Sequence, residues 1–116
     1  MAAAVYNFTI EQGASFTRTL TLTDEHGDLI DLAGYTARLQ ARDSVLLDTT
    51  VFELTVANGG IVITPAAGRI VWTRTPAQTA AMAFDAAVYD FEMESPAGVV
   101  TRLLRGRVIL DMETTR

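Results

Sequence analysis

The residues of this chain that could do chemistry are few, and their types limit what that chemistry is. The sequence has one histidine, His26, and no cysteine, so it offers no thiolate nucleophile, zinc-thiolate site or disulfide. His26 stands between Glu25 and Gly27 in a polar segment that predicts an exposed turn, where a histidine is solvated rather than held against a nucleophile. No catalytic histidine arrangement is therefore predicted.

Two groups of carboxylates are spaced closely enough to suggest an ion site or paired catalytic acids. The first group lies in the same polar segment and consists of Asp24, Glu25, Asp28 and Asp31. Such oxygens could bind Ca²⁺, but their spacing does not match a twelve-residue EF-hand loop, and a solvated turn is favoured. The second group is Asp90, Glu92 and Glu94. Alternation places them about 7 Å apart on one strand face, where solvation is favoured over catalysis. We expect no metal, no cofactor and no enzymatic activity.

Arginine supplies every one of the nine basic residues, and the chain has no lysine. Four arginines lie in or after the last strand signal: Arg102, Arg105, Arg107 and Arg116. They could pair with the second acidic group across a sheet, or they could bind another protein, because the planar guanidinium favours interfaces. Both interpretations stay open, and these four residues are the candidate protein interface.

Length, charge and hydropathy narrow the class of protein further. The 116 residues fit one domain, residues 1–116, with residues 1–5 and 111–116 as extended tails. A formal charge of −5 argues against binding to nucleic acid or to anionic membranes, since both need clustered cations. The start resembles no signal peptide, and no apolar run has the length of a membrane span. We expect a protein made in the cytoplasm whose partners are proteins.

The elements that must position these residues are strands, because apolar and polar residues alternate along most of the chain. The alternating segments are Phe16–Thr23, Tyr35–Arg42, Val51–Val56, Ala87–Glu94 and Val99–Leu110. Two further runs predict a hairpin with a four-residue loop: Ile61–Thr64 and Arg69–Arg74. Asn58–Gly60 predicts a turn, and Thr75–Met82 predicts one short helix with Thr75 as its cap. Gly106, inside the last strand, predicts a bulge or a close backbone approach.

Seven to nine short strands, with turns about every ten residues, predict an all-β fold. The expected architecture is an immunoglobulin-like two-sheet antiparallel β-sandwich with one short helical turn. The predicted core and fold residues are Phe16, Leu20, Leu22, Tyr35, Leu39, Trp72, Tyr89 and Phe91. Because most aromatic residues alternate into this core, a carbohydrate- or ligand-binding module, which needs exposed aromatics, is a weaker alternative.

Short motifs in the first half resemble the amino-terminal, immunoglobulin-like domain of the phage baseplate upper protein family. The similar positions are Gly13 with Phe16, Asp24 with Gly27, and the run Asp31–Thr36. The second half is similar to small stand-alone phage proteins of this kind, at Gly59–Ile61, Ala67–Ile70, Tyr89–Glu92 and Gly106–Val108. The resemblance covers nearly the whole chain.

The resemblance implies a virion structural protein of a tailed phage, assembled in the host cytoplasm. Such a domain would dock in several copies onto other virion proteins at the tail, neck or baseplate, as an adaptor or a fibre-attachment component. A capsid decoration or head-fibre base protein is the alternative within the same class. The 116 residues contain no segment that resembles the stalk or the receptor-binding domain of the full-length baseplate proteins.

Overall fold

The structure is a computed structural model that describes residues 3–43 and 49–112. Two β-sheets face each other, and a single turn of helix covers one end of the sandwich. The strands are β1 Ala4–Val5, β2 Phe8–Glu11, β3 Phe16–Thr21, β4 Thr36–Arg42, β5 Thr50–Thr55, β6 Ile61–Thr64, β7 Arg69–Arg74, β8 Ala86–Glu94 and β9 Val100–Asp111. The helix α1 spans Pro76–Ala80. The predicted all-β sandwich is confirmed.

The larger sheet has the order β1-β9-β8-β4-β5, and β2 continues β1 along the same side of β9. The smaller sheet has the order β3-β7-β6. Neighbouring strands are antiparallel except that β1 and β2 run parallel to β9. This parallel edge was not predicted from the sequence. Ala4, Val5 and Asp111, which the sequence pattern assigned to extended tails, are paired strand residues.

The hairpin and the helix form where local sequence predicts them. β6 and β7 are joined by a 3-10 turn at Pro65–Ala67, and Gly68 closes it. Thr75 caps α1 through a capping box, in which its side chain accepts from Gln78 N–H and the Gln78 side chain accepts from Thr75 N–H. Proline at the first helical position suits this start because the nitrogen has no partner there in any helix.

The core lies between the sheets and is built largely from inward positions of the alternating strands. Phe16, Leu39, Trp72, Tyr89 and Phe91 are buried as predicted. The other predicted fold residues, Leu20, Leu22 and Tyr35, are partly buried and pack against this cluster. The ring centroids of Trp72 and Phe91 are 5.1 Å apart in an edge-to-face contact, a geometry that aromatic pairs favour. Among the described residues, no helix is long and apolar enough to cross a membrane.

The break between β1 and β2 lies directly over Gly106 of β9. Two hydrogen bonds join this break to β9. Tyr6 N–H donates to the Arg105 carbonyl at 2.9 Å, and Arg107 N–H donates to Asn7 Oδ1 at 2.9 Å. A Cβ on Gly106 would overlap the carbonyl oxygen of Tyr6. Gly106 therefore marks a close backbone approach, one of the two roles that the sequence predicts for it.

Candidate functional site

The outer face of the larger sheet gathers most of the charged side chains that the strands carry. Alternation turns the apolar residues of β4, β8 and β9 to the core, so their polar residues share the opposite face. We call this surface the charged face. Its central residues line one shallow groove: Arg38, Gln40, Arg42, Asp90, Glu92, Arg102, Arg105 and Arg107.

Strand register sets the order of charges across this face. The acidic row of β8 lies between arginines of β4 and arginines of β9. Arg38 Nη2 lies 3.6 Å from Glu92 Oε2, and Arg102 Nε lies 3.7 Å from Asp90 Oδ1. The cross-strand pairing considered from the sequence is thus present for Arg102. Exposed pairs of this kind contribute about 0–1 kcal/mol each, so they order the face more than they stabilise the fold.

Arg105 and Arg107 differ from their neighbours, because among the described residues neither side chain has an ionic partner. Both are exposed. Arg105 lies opposite Asp90 in the ladder, but that carboxylate is nearer to Arg102. Arg107 lies opposite the aliphatic Val88. The candidate interface therefore contains two adjacent guanidinium groups with donor capacity to spare.

Apolar side chains border these two arginines, so the surface around them is partly apolar. Val5 of β1 lies beside Arg105 and is 65% exposed, and Ile109 further along β9 is 48% exposed. The groove has a volume of about 800 Å³. Arginine beside exposed aliphatic residues is a composition typical of protein interfaces, whose centres are depleted in other charges.

The distribution of charge over the molecule is uneven. Among the described residues, five arginines and six acidic residues share the outer face of the larger sheet, which gives it a formal charge of −1. The acidic residues of this set are Glu11, Glu53, Asp90, Glu92, Glu94 and Asp111. Because the whole chain carries −5, the remaining residues together carry −4. The positive charge of the charged face is local, at Arg105 and Arg107 in the middle of β9.

The outer face of the smaller sheet is different in kind. Its outward residues on β3 are Thr17, Thr19 and Thr21, and β6 and β7 add valine and threonine. Arg69, at the start of β7, is the charged residue at the end of this face and is exposed. A substitution of Arg69 therefore changes the charge of the molecule without touching the charged face.

A buried tyrosine on the core side of the larger sheet holds the edge of the charged face in place. The Tyr89 hydroxyl donates a hydrogen bond to the backbone carbonyl of Tyr6, in the break between β1 and β2. Burial, with smaller contributions from Tyr6 and Asp90, raises the pKa of Tyr89 well above its ordinary value. Tyr89 is held neutral, as a donor requires, and ties the amino-terminal strand to the sheet under Arg105.

The first acidic group lies in the loop between β3 and β4, at one end of the sandwich. Asp24 Oδ1 accepts from the backbone N–H groups of His26 and Asp28, at 2.8 and 3.0 Å. The His26 side chain is largely exposed, 3.7 Å from Glu25. Within residues 3–43 and 49–112, no three or more His, Asp and Glu side chains are grouped so that they could hold a metal ion.

The structure brings three of the four candidate interface residues together, because Arg102, Arg105 and Arg107 share one strand face. Arg116 lies outside the described residues. Arg38 and Arg42 on β4 belong to the same face but were not among the candidates. The alternation of Tyr35–Arg42 already gave their side of the strand; the missing information was that β4 is the neighbour of β8.

No protein-family model and no curated protein sequence matches the chain. Among solved structures, the chain is similar to one described as a crystal structure of a chicken TCR, with a TM-score of 0.51 and 12% sequence identity. The match covers 97% of this chain and 55% of that chain, so the chain spans about half the length of the structure it matches. At this identity the likeness shows the fold alone. The chain has the immunoglobulin-like β-sandwich fold.

Proposed function

We propose that the chain is a non-enzymatic structural protein of a tailed phage particle that docks onto other virion proteins through its charged face. It would do so in several copies, at the tail, neck or baseplate, as an adaptor or fibre-attachment component. The observation that carries the docking role is the exposed pair Arg105 and Arg107, which has no ionic partner within residues 3–43 and 49–112, on a face whose other charges are largely engaged. A partner would supply the acceptors.

The particle setting is supported by the resemblance of the Gly13, Gly27 and Asp31–Thr36 motifs to the baseplate upper protein family. The immunoglobulin-like sandwich is the fold which that resemblance implies, and this chain has that fold. A fold of this class hosts many functions, so the fold alone does not carry the assignment. The motifs and the charged face carry it together.

The test is to complement a phage that lacks this chain with wild-type and variant copies, and to quantify the chain in purified particles by mass spectrometry. The wild-type chain is expected in the particle, with cryo-electron microscopy density at the tail, neck or baseplate. Density over the capsid lattice would instead indicate the decoration role. Absence of the wild-type chain from purified particles would overturn the proposal.

A matched pair of variants separates the charged face from general charge effects. Arg107→Glu and Arg69→Glu change the net charge equally, but Arg69 lies on the smaller sheet. Arg107→Glu is expected to lower incorporation at least severalfold, whereas Arg69→Glu retains it. Equal incorporation of both variants would indicate that the docking surface lies elsewhere on the molecule.

A further inference from the structure

We infer that the charged face binds the β3–β4 loop of a second copy of this chain. The inference rests on the proposed docking role and names the partner. Its basis is charge complementarity within one sequence: two exposed arginines on the side of the sandwich, Arg105 and Arg107, that have no ionic partner among the described residues, and an acidic loop at its end. Every copy therefore carries both halves of the contact.

The loop presents its carboxylates on a fixed turn. Asp24 N–H donates to the Asp28 carbonyl at 2.8 Å, and Gly27 N–H donates to the Asp24 carbonyl at 3.0 Å. Together with the side-chain bonds of Asp24, these close the turn from residue 24 to residue 28, while Glu25 and Asp28 stay exposed. A turn that is already ordered loses little conformational entropy when it binds.

An apolar contact can accompany the ionic one. Leu29, one residue after Asp28, is 55% exposed, and Val5 beside Arg105 is 65% exposed. Seating Leu29 near Val5 and Val88 would bury apolar surface on both copies while Glu25 and Asp28 reach Arg105 and Arg107. Removing water around these pairs strengthens them, provided that the hydrogen bonds are made.

The two surfaces cannot meet within one molecule. The loop lies at the end of the sandwich where β3 ends and β4 begins, and Gly34 of this loop packs against Pro96 in the β8–β9 turn. Arg105 and Arg107 lie on the middle of β9, on the side of the molecule. The contact is heterologous, so repetition of it gives a ring if the rotation closes and a chain of copies if it does not.

Ionic strength separates this contact from the repulsion between copies. Each copy carries a net charge of −5. Two copies therefore repel each other at separations comparable to the molecular dimensions of 46 × 29 × 24 Å. At about 0.15 M salt the screening length is roughly 8 Å, so long-range repulsion is largely removed while contacts shorter than 4 Å survive. Association is therefore expected near physiological salt and is expected to weaken at several-fold higher salt.

Sedimentation velocity on the purified chain tests the contact by charge reversal. Arg107→Glu alone and Glu25→Arg alone are each expected to weaken self-association about tenfold, because each places like charges together. The double variant Arg107→Glu with Glu25→Arg restores opposite charges and is expected to recover association. Arg69→Glu is the control and retains it. If the double variant did not recover self-association, the inference would be overturned.

Engineered disulfides test the same geometry independently, because the chain has no cysteine of its own. Chains with Glu25→Cys and chains with Arg107→Cys, mixed under mild oxidation, are expected to form a mixed disulfide. Arg69→Cys in place of Arg107→Cys is expected not to. Disulfides between two Arg107→Cys chains would instead indicate a two-fold, face-to-face dimer and would overturn the head-to-side contact.

The outcomes also separate this inference from the proposed function. A wild-type chain that stays monomeric at millimolar concentration and at physiological salt overturns the inference, whether or not the chain is found in particles. A chain that self-associates as described but is absent from particles overturns the particle setting and leaves the contact standing.

Discussion

At the scale of single residues, Gly106 shows how one missing side chain shapes the edge of the charged face. The chain between β1 and β2 runs beside β9 at this glycine, and Tyr6 and Asn7 lie where a side chain would be. The residues on either side, Arg105 and Arg107, turn outward. Gly106 therefore lets the amino-terminal strand stay close to β9 beside the two arginines that we assign to docking.

Gly106→Ala is expected to destabilise the fold by about 3 kcal/mol, because the added methyl overlaps Tyr6 and forces β1 away from β9. Gly98→Ala is the control. Gly98 has a φ of 87° and open space around it, so that change costs about 1 kcal/mol of backbone strain and causes no overlap. Chemical denaturation of both variants measures the difference. Equal losses would argue against close approach as the role of Gly106.

Tyr89→Phe is expected to destabilise the fold by about 1–2 kcal/mol near neutral pH, since the Tyr6 carbonyl loses its donor. The pKa of Tyr89 is raised above its ordinary value of about 10 in the folded state. The unfolded chain therefore ionises first as the pH rises, and the stabilisation by Tyr89 declines above pH 10. The gap between wild type and Tyr89→Phe should stay constant from about pH 7 to 9 and narrow above pH 10. A gap that widens there would contradict the assignment.

At the scale of elements, the one-turn helix is held by a side chain rather than by its own length. Thr79 Oγ1 donates to the Ala14 carbonyl at 2.8 Å and accepts from Gly13 N–H at 3.0 Å. A five-residue helix has little stability alone. These two bonds dock α1 against the β2–β3 turn and close one end of the sandwich.

Thr79→Val is expected to lower the free energy of unfolding by about 2–3 kcal/mol, because it leaves Gly13 N–H and the Ala14 carbonyl without partners in a buried site. Thr79→Ser keeps the hydroxyl and loses one methyl, so its loss should be about 1 kcal/mol. Thermal unfolding of both variants measures the contrast. If serine were as harmful as valine, packing of the methyl group would be the larger effect.

The inner strands could be predicted from the sequence because their signal is local. Alternation in Tyr35–Arg42 and Ala87–Glu94 gives both the strand and the side that each residue faces. β2 was missed although Phe8–Glu11 alternates in the same way. Its partner, β9, is about 100 residues away in sequence and runs parallel to it, and a local pattern does not report such pairing.

The candidate site was predicted in part for the same reason. Alternation gives Arg105 and Arg107 the same outward side, but it would place Arg102, three residues before Arg105, on the other side. Which acids they face depends on register, and a bulge between Phe91 and Glu92 shifts that register by one residue. The bulge places Arg102 opposite Glu92 and on the same face as Arg105, where its Nε lies 3.7 Å from Asp90 Oδ1. The sequence of neither strand indicates this bulge.

At the scale of the whole molecule, stability and docking are assigned to opposite faces of the same strands. β8 sends Tyr89 and Phe91 into the core and Asp90 and Glu92 to the charged face. β9 does the same with Val108 and Arg107. Alternation therefore allows the charged face to change without loss of the fold. It also means that variants of the two faces should have different effects.

Phe91→Ala is expected to lower the free energy of unfolding by about 3–5 kcal/mol, because Phe91 is fully buried against Trp72. The pair Arg105→Ala and Arg107→Ala should change it by less than about 1 kcal/mol, since both side chains are exposed and have no ionic partner among the described residues. Thermal and chemical unfolding measure both variants. Self-association should respond in the opposite order at temperatures where Phe91→Ala is still folded: nearly unchanged in that variant, and weakened in the arginine pair. A similar loss of stability in both would mean that the arginines hold the fold together, and the charged face would no longer be free to serve a partner.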